Sequence, residues 1–199
     1  MASPSPSPSS PTPYRQIRAL YTATTITVYQ AYSPAIALAA VTQQKLSAAP
    51  EFTLSRMTWI KPSWYRSGYS FKDDKQTHIL ALTMSRDRFE HLLSLSSSSD
   101  GTGVARDKCA VRVQWDPERN VELARMPWRS VQIGIGRAVV AEWVEEWILK
   151  IEDVTECARE MKRLLDEGRV EEARGLMPEE RVYPLEEGLR KVLRMEEAE

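Results

Sequence analysis

The 199-residue sequence predicts an α+β fold, in which a mixed or antiparallel sheet from the N-terminal two thirds packs against a long amphipathic helix and further C-terminal helices. Segments of β-branched, apolar or alternating residues all precede Arg137, whereas apolar residues recur at helical spacing from Ala138 onward. The hydrophobic content of 42% and the charged content of 28% are typical of globular chains. Residues 14–199 are therefore expected to form a single domain.

The first 13 residues alternate serine and proline, and we expect them to form a disordered tail. Proline lacks a backbone donor, and this stretch offers almost no apolar side chain for packing. No apolar run approaches the ~20 residues that a membrane-spanning helix needs, and no basic-then-apolar leader is present. The two cysteines are too few for a disulfide framework. We therefore expect an intracellular protein, cytoplasmic or nuclear, with no membrane partner.

The first half of the chain supplies three predicted strands and two predicted helices. Segments rich in β-branched or apolar residues predict strands at residues 24–29, 56–61 and 78–84. Ser33 and Pro34 match the N-cap and first position of a helix, which an alanine-rich run extends to Leu46. Ser85 is placed to cap a second helix, which we expect to end near Leu93. The Ser/Gly-rich stretch 94–107 is expected to be a mobile loop.

The second half begins with strands and then changes period. Alternating apolar residues predict a half-exposed strand at residues 109–115, and residues 131–135 predict another. Eight apolar residues between Val139 and Val154 then recur at helical spacing, with acidic residues on the opposite face. This pattern predicts one long helix, compatible with an end at Gly168, a residue type suited to the position after a helix. Shorter helices are expected at residues 170–176 and 185–195.

Charge is unevenly distributed along the chain, although the formal net charge is only −1. The part that ends at Arg137 has 17 basic and 10 acidic side chains, whereas the remainder has 10 and 18. Two interpretations stay open. Either the two parts pack with complementary charge and the acidic helix faces are solvated, or the basic part binds a phosphate-bearing ligand or a nucleic acid.

Three segments combine basic, aromatic and acidic side chains in a way that core packing does not require. Residues 14–32 supply four candidate ligand-binding residues: Arg15, Arg18, Tyr29 and Gln30. Residues 56–75 supply five more: Arg56, Lys61, Tyr65, Arg66 and Tyr69. Residues 114–119 supply the candidate ligand-binding residues Gln114 and Arg119 and the candidate catalytic carboxylates Asp116 and Glu118. Pro117 is expected to end its strand in a turn that exposes Asp116, Glu118 and Arg119.

Within these segments the sequence resembles a known family. The strings RQIRALY, TITVYQAYSPAIA, RMTWIKPS, YRSG, VQWDPER, RSVQIG and EWI-KIEDVT, in this order, are similar to the "domain of unknown function 4291" family. The resemblance runs from about Arg15 to Tyr183. One departure is a shortened segment between the KPS and YRSG strings, where Ser63 is followed almost at once by Tyr65. The resemblance implies little about activity, so the residues are interpreted individually.

The residue types in the three segments are those that bind and cleave a nucleotide. Arginine binds phosphates bidentately, aromatic faces stack on nucleobases, and a carboxylate at a strand end stabilises a developing oxocarbenium ion. The order of elements is similar in outline to the ADP-ribosyltransferase superfamily. That distant resemblance implies NAD as a substrate, which loses nicotinamide while ADP-ribose passes to an acceptor. A nucleotide-binding site of this kind requires the side chains of Arg18, Arg66 and Glu118 to lie around one positively charged cavity.

Other interpretations of the same residues remain open. The same basic and aromatic surface suits a non-catalytic nucleic-acid-binding module, and an acidic helix face with Glu145 and Glu146 suits a protein-interaction domain. Each candidate also has a structural explanation as a surface ion pair, an aromatic core anchor or a turn. The Gly134–Ile135–Gly136 string lacks the third glycine of a dinucleotide-binding fingerprint. The predicted site includes no metal, although Asp116 and Glu118 are residue types that bind Mg²⁺.

Overall fold

The computed structural model describes residues 12–64, 76–98 and 110–196. At its N-terminal end, strand β1 (Arg18–Ala19) and strand β2 (Thr25–Tyr32) precede helix α1 (Pro34–Gln43) and a 3₁₀ turn, Leu46–Ala48. The helix begins as predicted: Ser33 Oγ accepts a hydrogen bond from the Ile36 N–H at 3.4 Å, and Pro34 occupies the first turn, where its missing N–H costs nothing.

One antiparallel sheet has the strand order β2–β4–β8, with β4 at His78–Ser85 and β8 at Ile148–Asp153. The central strand β4 is buried on both faces along most of its length, which explains its continuous apolar sequence. Helix α2 (Arg86–Ser94) follows it directly, and Ser85 Oγ accepts a hydrogen bond from the Arg88 N–H at 3.2 Å. Both the strand and the cap agree with the sequence-based prediction.

The long helix predicted after Ala138 is wrong. Helix α3 (Val140–Glu142) continues as a π-helical turn, Trp143–Trp147, and the chain then enters strand β8 before helix α4 (Thr155–Asp166). Met84 pairs with Ile148 and Thr83 with Lys150, so one residue of β8 bulges out of the ladder. The bulge places Ile148, which is partly buried, and Ile151, which is buried, three residues apart on the side that packs on the core. At Ile148 and Ile151, a bulged strand therefore reproduces part of the spacing that predicted a helix.

A second sheet has the order β3–β7–β6–β5, with strands at Thr58–Ile60, Arg125–Ile135, Val111–Arg119 and Ser96–Ser98. Its pairs are antiparallel except β5–β6, which is parallel. Strand β5 lies in the stretch predicted to be a loop, so that prediction is wrong at Ser96–Ser98, and residues 99–107 lie outside the described residues. Hydrogen bonds of 2.7 and 3.0 Å between the Tyr29 and Lys61 backbones connect the two sheets.

The C-terminal part adds helix α5 (Val170–Gly175), strand β9 (Arg181–Val182) and helix α6 (Glu187–Val192). Helix α4 ends as predicted, because Gly168 has φ +75°, a left-handed conformation that favours glycine. Strand β9 pairs with β1 and so brings the C-terminal segment against the N-terminal one. Helices and mainly antiparallel sheets together confirm the predicted α+β fold.

The largest hydrophobic core includes residues of both sheets and of the π-helical turn, among them Val28, Leu82, Ile133 and Trp143. A smaller cluster lies on the opposite face of β2 and contains Tyr29, Trp64, Ile79 and Met161. Because successive residues of a strand face opposite sides, β2 contributes to both clusters. Among the described helices, none has the length and apolar character that crossing a bilayer demands.

Candidate functional site

Strand β6 does not end at Pro117. Pro117 lies opposite Arg129 in the ladder, and the register shifts between Pro117 and Arg119. Proline cannot donate to the ladder, and a register irregularity accommodates it without ending the strand. The prediction that a turn exposes Glu118 is therefore wrong: its side chain is only 4% exposed. The Glu118 carboxylate therefore lies in the interior of the protein, on strand β6.

The buried Glu118 carboxylate accepts two hydrogen bonds. Ser63 Oγ donates to Glu118 Oε2 at 3.0 Å, and the Arg119 backbone N–H donates to Oε1 at 2.9 Å. Ser63 is 1% exposed and lies just after strand β3. Both partners are donors, as a charged carboxylate requires when it is removed from water.

A second carboxylate, that of Glu180, lies beside the first. The Trp64 backbone N–H donates to Glu180 Oε1 at 2.5 Å, and Arg18 Nη2 donates to the Glu180 carbonyl at 3.0 Å. Because Ser63 and Trp64 are consecutive, one short segment binds both carboxylates. The pKa of Glu180 is raised to about 7: desolvation by burial is the largest cause and the Glu118 carboxylate adds to it, while the Trp64 hydrogen bond and Arg18 oppose the shift.

Two aromatic rings border this pair of carboxylates. The Tyr29 and Trp64 ring centroids are 5.0 Å apart at an interplanar angle of 75°, and Trp64 Nε1 donates to Met161 Sδ at 3.1 Å. Burial raises the pKa of Tyr29, and the Glu180 carboxylate raises it further. We name the group the Glu118–Glu180 site, and its six residues are Arg18, Tyr29, Ser63, Trp64, Glu118 and Glu180.

Several predicted residues make contacts of their own away from these carboxylates. Arg15 Nη1 donates to the Arg194 carbonyl at 2.7 Å, and Arg119 Nη1 donates to the Leu123 carbonyl at 2.5 Å. On the surface, Gln114 Nε2 donates to Asp116 Oδ1 at 2.9 Å. Lys61 joins the sheets through its backbone.

In the described stretches, no group of three or more metal-binding side chains is placed to hold a metal ion.

Two further predicted residues, Gln30 and Arg56, line a separate cavity of about 550 Å³. Tyr29 and Gln30 are consecutive in β2, so their side chains lie on opposite faces of the sheet. Tyr65, Arg66 and Tyr69 lie outside the described residues. Of the three residues whose convergence the sequence-based hypothesis requires, Arg18 and Glu118 each lie near Glu180, the first at its backbone carbonyl and the second at its carboxylate.

The sequence analysis did not single out Ser63, Trp64 or Glu180. Ser63 lies two residues after the predicted strand 56–61, and a position just after a strand is one where a polar side chain can face a site. Glu180 has no such signal, because it follows Pro178 in a segment without periodicity. Only the pairing of β9 with β1 brings it to Arg18.

The acidic helical part forms extensive internal ion pairs. Arg163 contacts Glu160 and Glu167, and Arg169 contacts Glu167 and Glu172, along the exposed faces of α4 and α5. Glu145 pairs with Lys45 and accepts a hydrogen bond from Ser47 Oγ at 2.7 Å; these partners lower its pKa. Most of these pairs lie within the acidic part itself, on solvent-exposed helix faces, and the Lys45–Glu145 pair joins it to the basic part.

Gly134 has a packing role. A Cβ atom at this position of β7 would lie 2.7 Å from Met57 Sδ and 3.0 Å from the Trp59 ring, so a side chain cannot fit without displacing them. The helix that follows the Gly134–Gly136 string is only three residues long before it becomes a π-helical turn. The structure thus explains the first glycine of the string by the approach of strand β3.

The fold and the site define an α+β protein with two adjacent carboxylates at the meeting point of its N-terminal, central and C-terminal segments. The chain belongs to the DUF4291 family, a domain of unknown function, whose model matches residues 16–183. This match confirms the family resemblance. A search of curated proteins found no match. The matched range includes all six residues of the Glu118–Glu180 site.

Proposed function

We propose that the Glu118–Glu180 site transfers a glycosyl group from a nucleotide, with NAD as the donor and an ADP-ribosyltransferase-like reaction as the chemistry. One observation carries the proposal: two carboxylates are bound side by side by Ser63 and Trp64, in environments that differ. Paired carboxylates with different environments are the arrangement that glycosidic bond cleavage uses. Arg18 adds a group suited to a phosphate, whereas the Tyr29 and Trp64 rings are buried against each other and form the apolar wall beside the carboxylates.

The two carboxylates have different roles in this proposal. Glu118 is buried and accepts two hydrogen bonds, so it supplies a fixed negative charge that stabilises the oxocarbenium character of the ribose in the transition state. Glu180, with a pKa of about 7, is suited to exchange a proton near neutral pH. Glu180 therefore acts as the general base.

The reaction balances with these two groups. The bond between ribose C1′ and the nicotinamide nitrogen breaks, and its electron pair leaves with neutral nicotinamide. A hydroxyl oxygen of the acceptor, or of water, forms the new bond to C1′, and its proton passes to the Glu180 carboxylate. Arg18 has five N–H donors, of which the hydrogen bond to the Glu180 carbonyl uses one. The remaining N–H donors of Arg18 are the groups that bind the diphosphate of NAD in this proposal.

The test is release of nicotinamide from NAD by the purified full chain. Glu118→Gln is expected to lower the rate at least 100-fold, because the variant preserves shape and removes the charge. Glu180→Gln is expected to lower it at least 10-fold and to abolish the rise in rate as pH increases through about 7. The exposed residues Glu122 and Glu179 provide matched controls as Glu122→Gln and Glu179→Gln, which should retain the wild-type rate.

Three results decide the proposal. If neither nicotinamide release nor thermal stabilisation occurs at millimolar NAD, the proposal is wrong. Equal rates in Glu118→Gln and Glu122→Gln also contradict it, because the carboxylate then has no part in the reaction. Binding of single-stranded oligonucleotides that weakens steeply with salt, without NAD turnover, identifies a nucleic-acid-binding module instead.

A further inference from the structure

A concave site lies on the opposite side of strand β2 from Tyr29. It is a cavity of about 550 Å³ between the end of β2, the first turn of α1 and the segment that precedes β3. This volume lies within the range of small-molecule sites. Its lining is part polar and part apolar, and the proposed glycosyl transfer uses none of its residues.

The amide of Gln30 is oriented by two hydroxyl groups. Tyr32 Oη donates to Gln30 Oε1 at 2.8 Å, and Thr58 Oγ1 donates to the same oxygen at 2.9 Å. Both hydroxyls belong to buried residues, Tyr32 at 6% and Thr58 at 8% exposure. With its oxygen held in this way, Gln30 presents its NH₂ group as a fixed donor in a wall of the cavity.

An apolar slot adjoins this donor. The Phe52 and Tyr32 rings are 6.2 Å apart between centroids at an interplanar angle of 53°, and Ile36 and Met57 complete the wall. Aromatic and thioether groups of this kind pack against the face of a planar ring. A ring that carries a hydrogen-bond acceptor on its edge can therefore satisfy the slot and the Gln30 NH₂ together.

Two charged side chains lie at the mouth of the same cavity. Arg56 is exposed, and across residues 12–64, 76–98 and 110–196 no carboxylate forms an ion pair with it. Glu51 Oε2 accepts a hydrogen bond from Ser33 Oγ at 3.3 Å, which leaves Oε1 to accept another. A guanidinium binds phosphate, and a carboxylate oxygen accepts hydrogen bonds from sugar hydroxyls.

We propose that this cavity binds a nucleoside monophosphate. The base lies in the slot beside Phe52 and accepts a hydrogen bond from the Gln30 NH₂, the ribose hydroxyls donate to Glu51, and Arg56 binds the phosphate. The proposal is independent of glycosyl transfer at the Glu118–Glu180 site, since Gln30 and Tyr29 lie on opposite faces of β2.

The first test compares AMP, GMP and UMP with adenosine, guanosine and uridine by calorimetry on the full chain. At least one nucleotide is expected to bind more tightly than its nucleoside. Arg56→Gln should weaken binding of that nucleotide about 10-fold and leave the nucleoside affinity unchanged, because only the phosphate contacts the guanidinium. Arg137→Gln removes another exposed arginine and should leave both affinities as they are.

The second test removes the donor and preserves the shape. Gln30→Glu retains an oxygen for both hydroxyls and replaces NH₂ by a carboxylate oxygen, so nucleotide and nucleoside should both bind at least 10-fold more weakly at pH 7. Gln43→Glu, which makes the same charge change at an exposed position of α1, is the control. Because the fold must survive Gln30→Glu, its circular dichroism spectrum and melting temperature are measured alongside.

Several binding results would contradict the nucleoside monophosphate proposal. Absence of binding by all three nucleotides overturns the proposal, and so does binding that Arg56→Gln and Gln30→Glu leave unchanged. Equal weakening of nucleotide and nucleoside by Arg56→Gln contradicts the placement of the phosphate. Glu118→Gln should not alter these affinities, so failure of the glycosyl-transfer proposal and failure of this one give different results.

Discussion

The C-terminal segment takes part in two charged clusters, one around Tyr183 and one at the Glu118–Glu180 site. Opposite charges are paired in the first cluster, whereas two like charges lie together in the second. In the first cluster, Tyr183 Oη donates to Glu90 at 2.6 Å and accepts from Arg86 Nε at 3.0 Å, and the Arg86 guanidinium lies 4.9 Å from the Tyr183 ring centroid. Tyr21 packs edge-on against Tyr183 at 5.2 Å. Positive, negative and aromatic groups alternate, so each charge has a compensating neighbour.

The Glu118–Glu180 site lies only a few residues away along the chain and places two carboxylates together. Its one described cation, Arg18, donates to the Glu180 carbonyl rather than to a carboxylate. Burial and the like charge of Glu118 are why the pKa of Glu180 rises to about 7. The first cluster stabilises the packing of the C-terminal segment. In the second cluster, the ionised form of Glu180 lowers the free energy of unfolding. This contrast is typical of a functional site.

The largest expected effect is in the compensated cluster. Tyr183 is 2% exposed and packs against Phe89 as well as Tyr21, so Tyr183→Ala should lower the free energy of unfolding by about 3–5 kcal/mol. Urea denaturation monitored by circular dichroism measures this. Leu38, 73% exposed, is the control as Leu38→Ala, which should change it by about 0.5 kcal/mol or less. A loss below about 1 kcal/mol for Tyr183→Ala means that the C-terminal segment is not fastened here.

An intermediate effect is expected from the titration of Glu180. Its folded-state pKa is raised from 4.5 to about 7, so its contribution to stability is fully present below pH 4.5 and is lost as pH rises through about 7. Between pH 5 and 8 the free energy of unfolding should therefore fall by about 1–3 kcal/mol because of this group.

Glu180→Gln should remove that part of the pH dependence and should be more stable than the wild-type chain at pH 8. Glu179→Gln, one residue earlier and exposed, should retain the wild-type pH dependence. Urea denaturation at pH 5, 6, 7 and 8 provides the comparison. Identical slopes for the two variants would show that Glu180 titrates normally and would remove the contrast between the clusters. The catalytic proposal needs the ionised form of Glu180, the form that lowers stability.

The smallest expected effect separates the Tyr183 ring from its hydroxyl group. Tyr183→Phe preserves the packing and removes the hydrogen bonds to Glu90 and Arg86. Both partners are partly exposed, so water replaces the hydroxyl, and the free energy of unfolding should fall by about 1 kcal/mol. A loss as large as that of Tyr183→Ala would indicate that the hydrogen bonds, rather than the aromatic packing, hold the segment.

How far each element could be predicted depends on how local its cause is. Ser33 with Pro34, Ser85 and Gly168 mark helix ends correctly, because caps depend on a few neighbouring residues. Strand β4 was recognised from its apolar run for a similar reason. Strand β8 was not, because its bulge against Thr83 and Met84 is a property of the pair of strands.

The residues of the candidate site show the same difference between what neighbouring residues determine and what distant segments determine. Residue types selected Arg18, Tyr29 and Glu118, since guanidinium, aromatic and carboxylate groups are chemically suited to a nucleotide, but they selected equally residues that contact other groups, such as Arg15 and Asp116. Gln30 and Arg56 line a different cavity. The alternation of β2 separates Gln30 from Tyr29, but the position of Arg56 became known only with the tertiary structure. Glu180 enters the site through the β1–β9 pairing, a contact between segments more than 160 residues apart.

Composition, caps and apolar runs thus specify the α+β class and most element positions, because these depend on interactions within a few residues. The tertiary structure decides which carboxylates meet, which side chains are buried and which pKa values shift. Those properties depend on desolvation and on charges from distant segments, and neither is encoded at any one position of the chain.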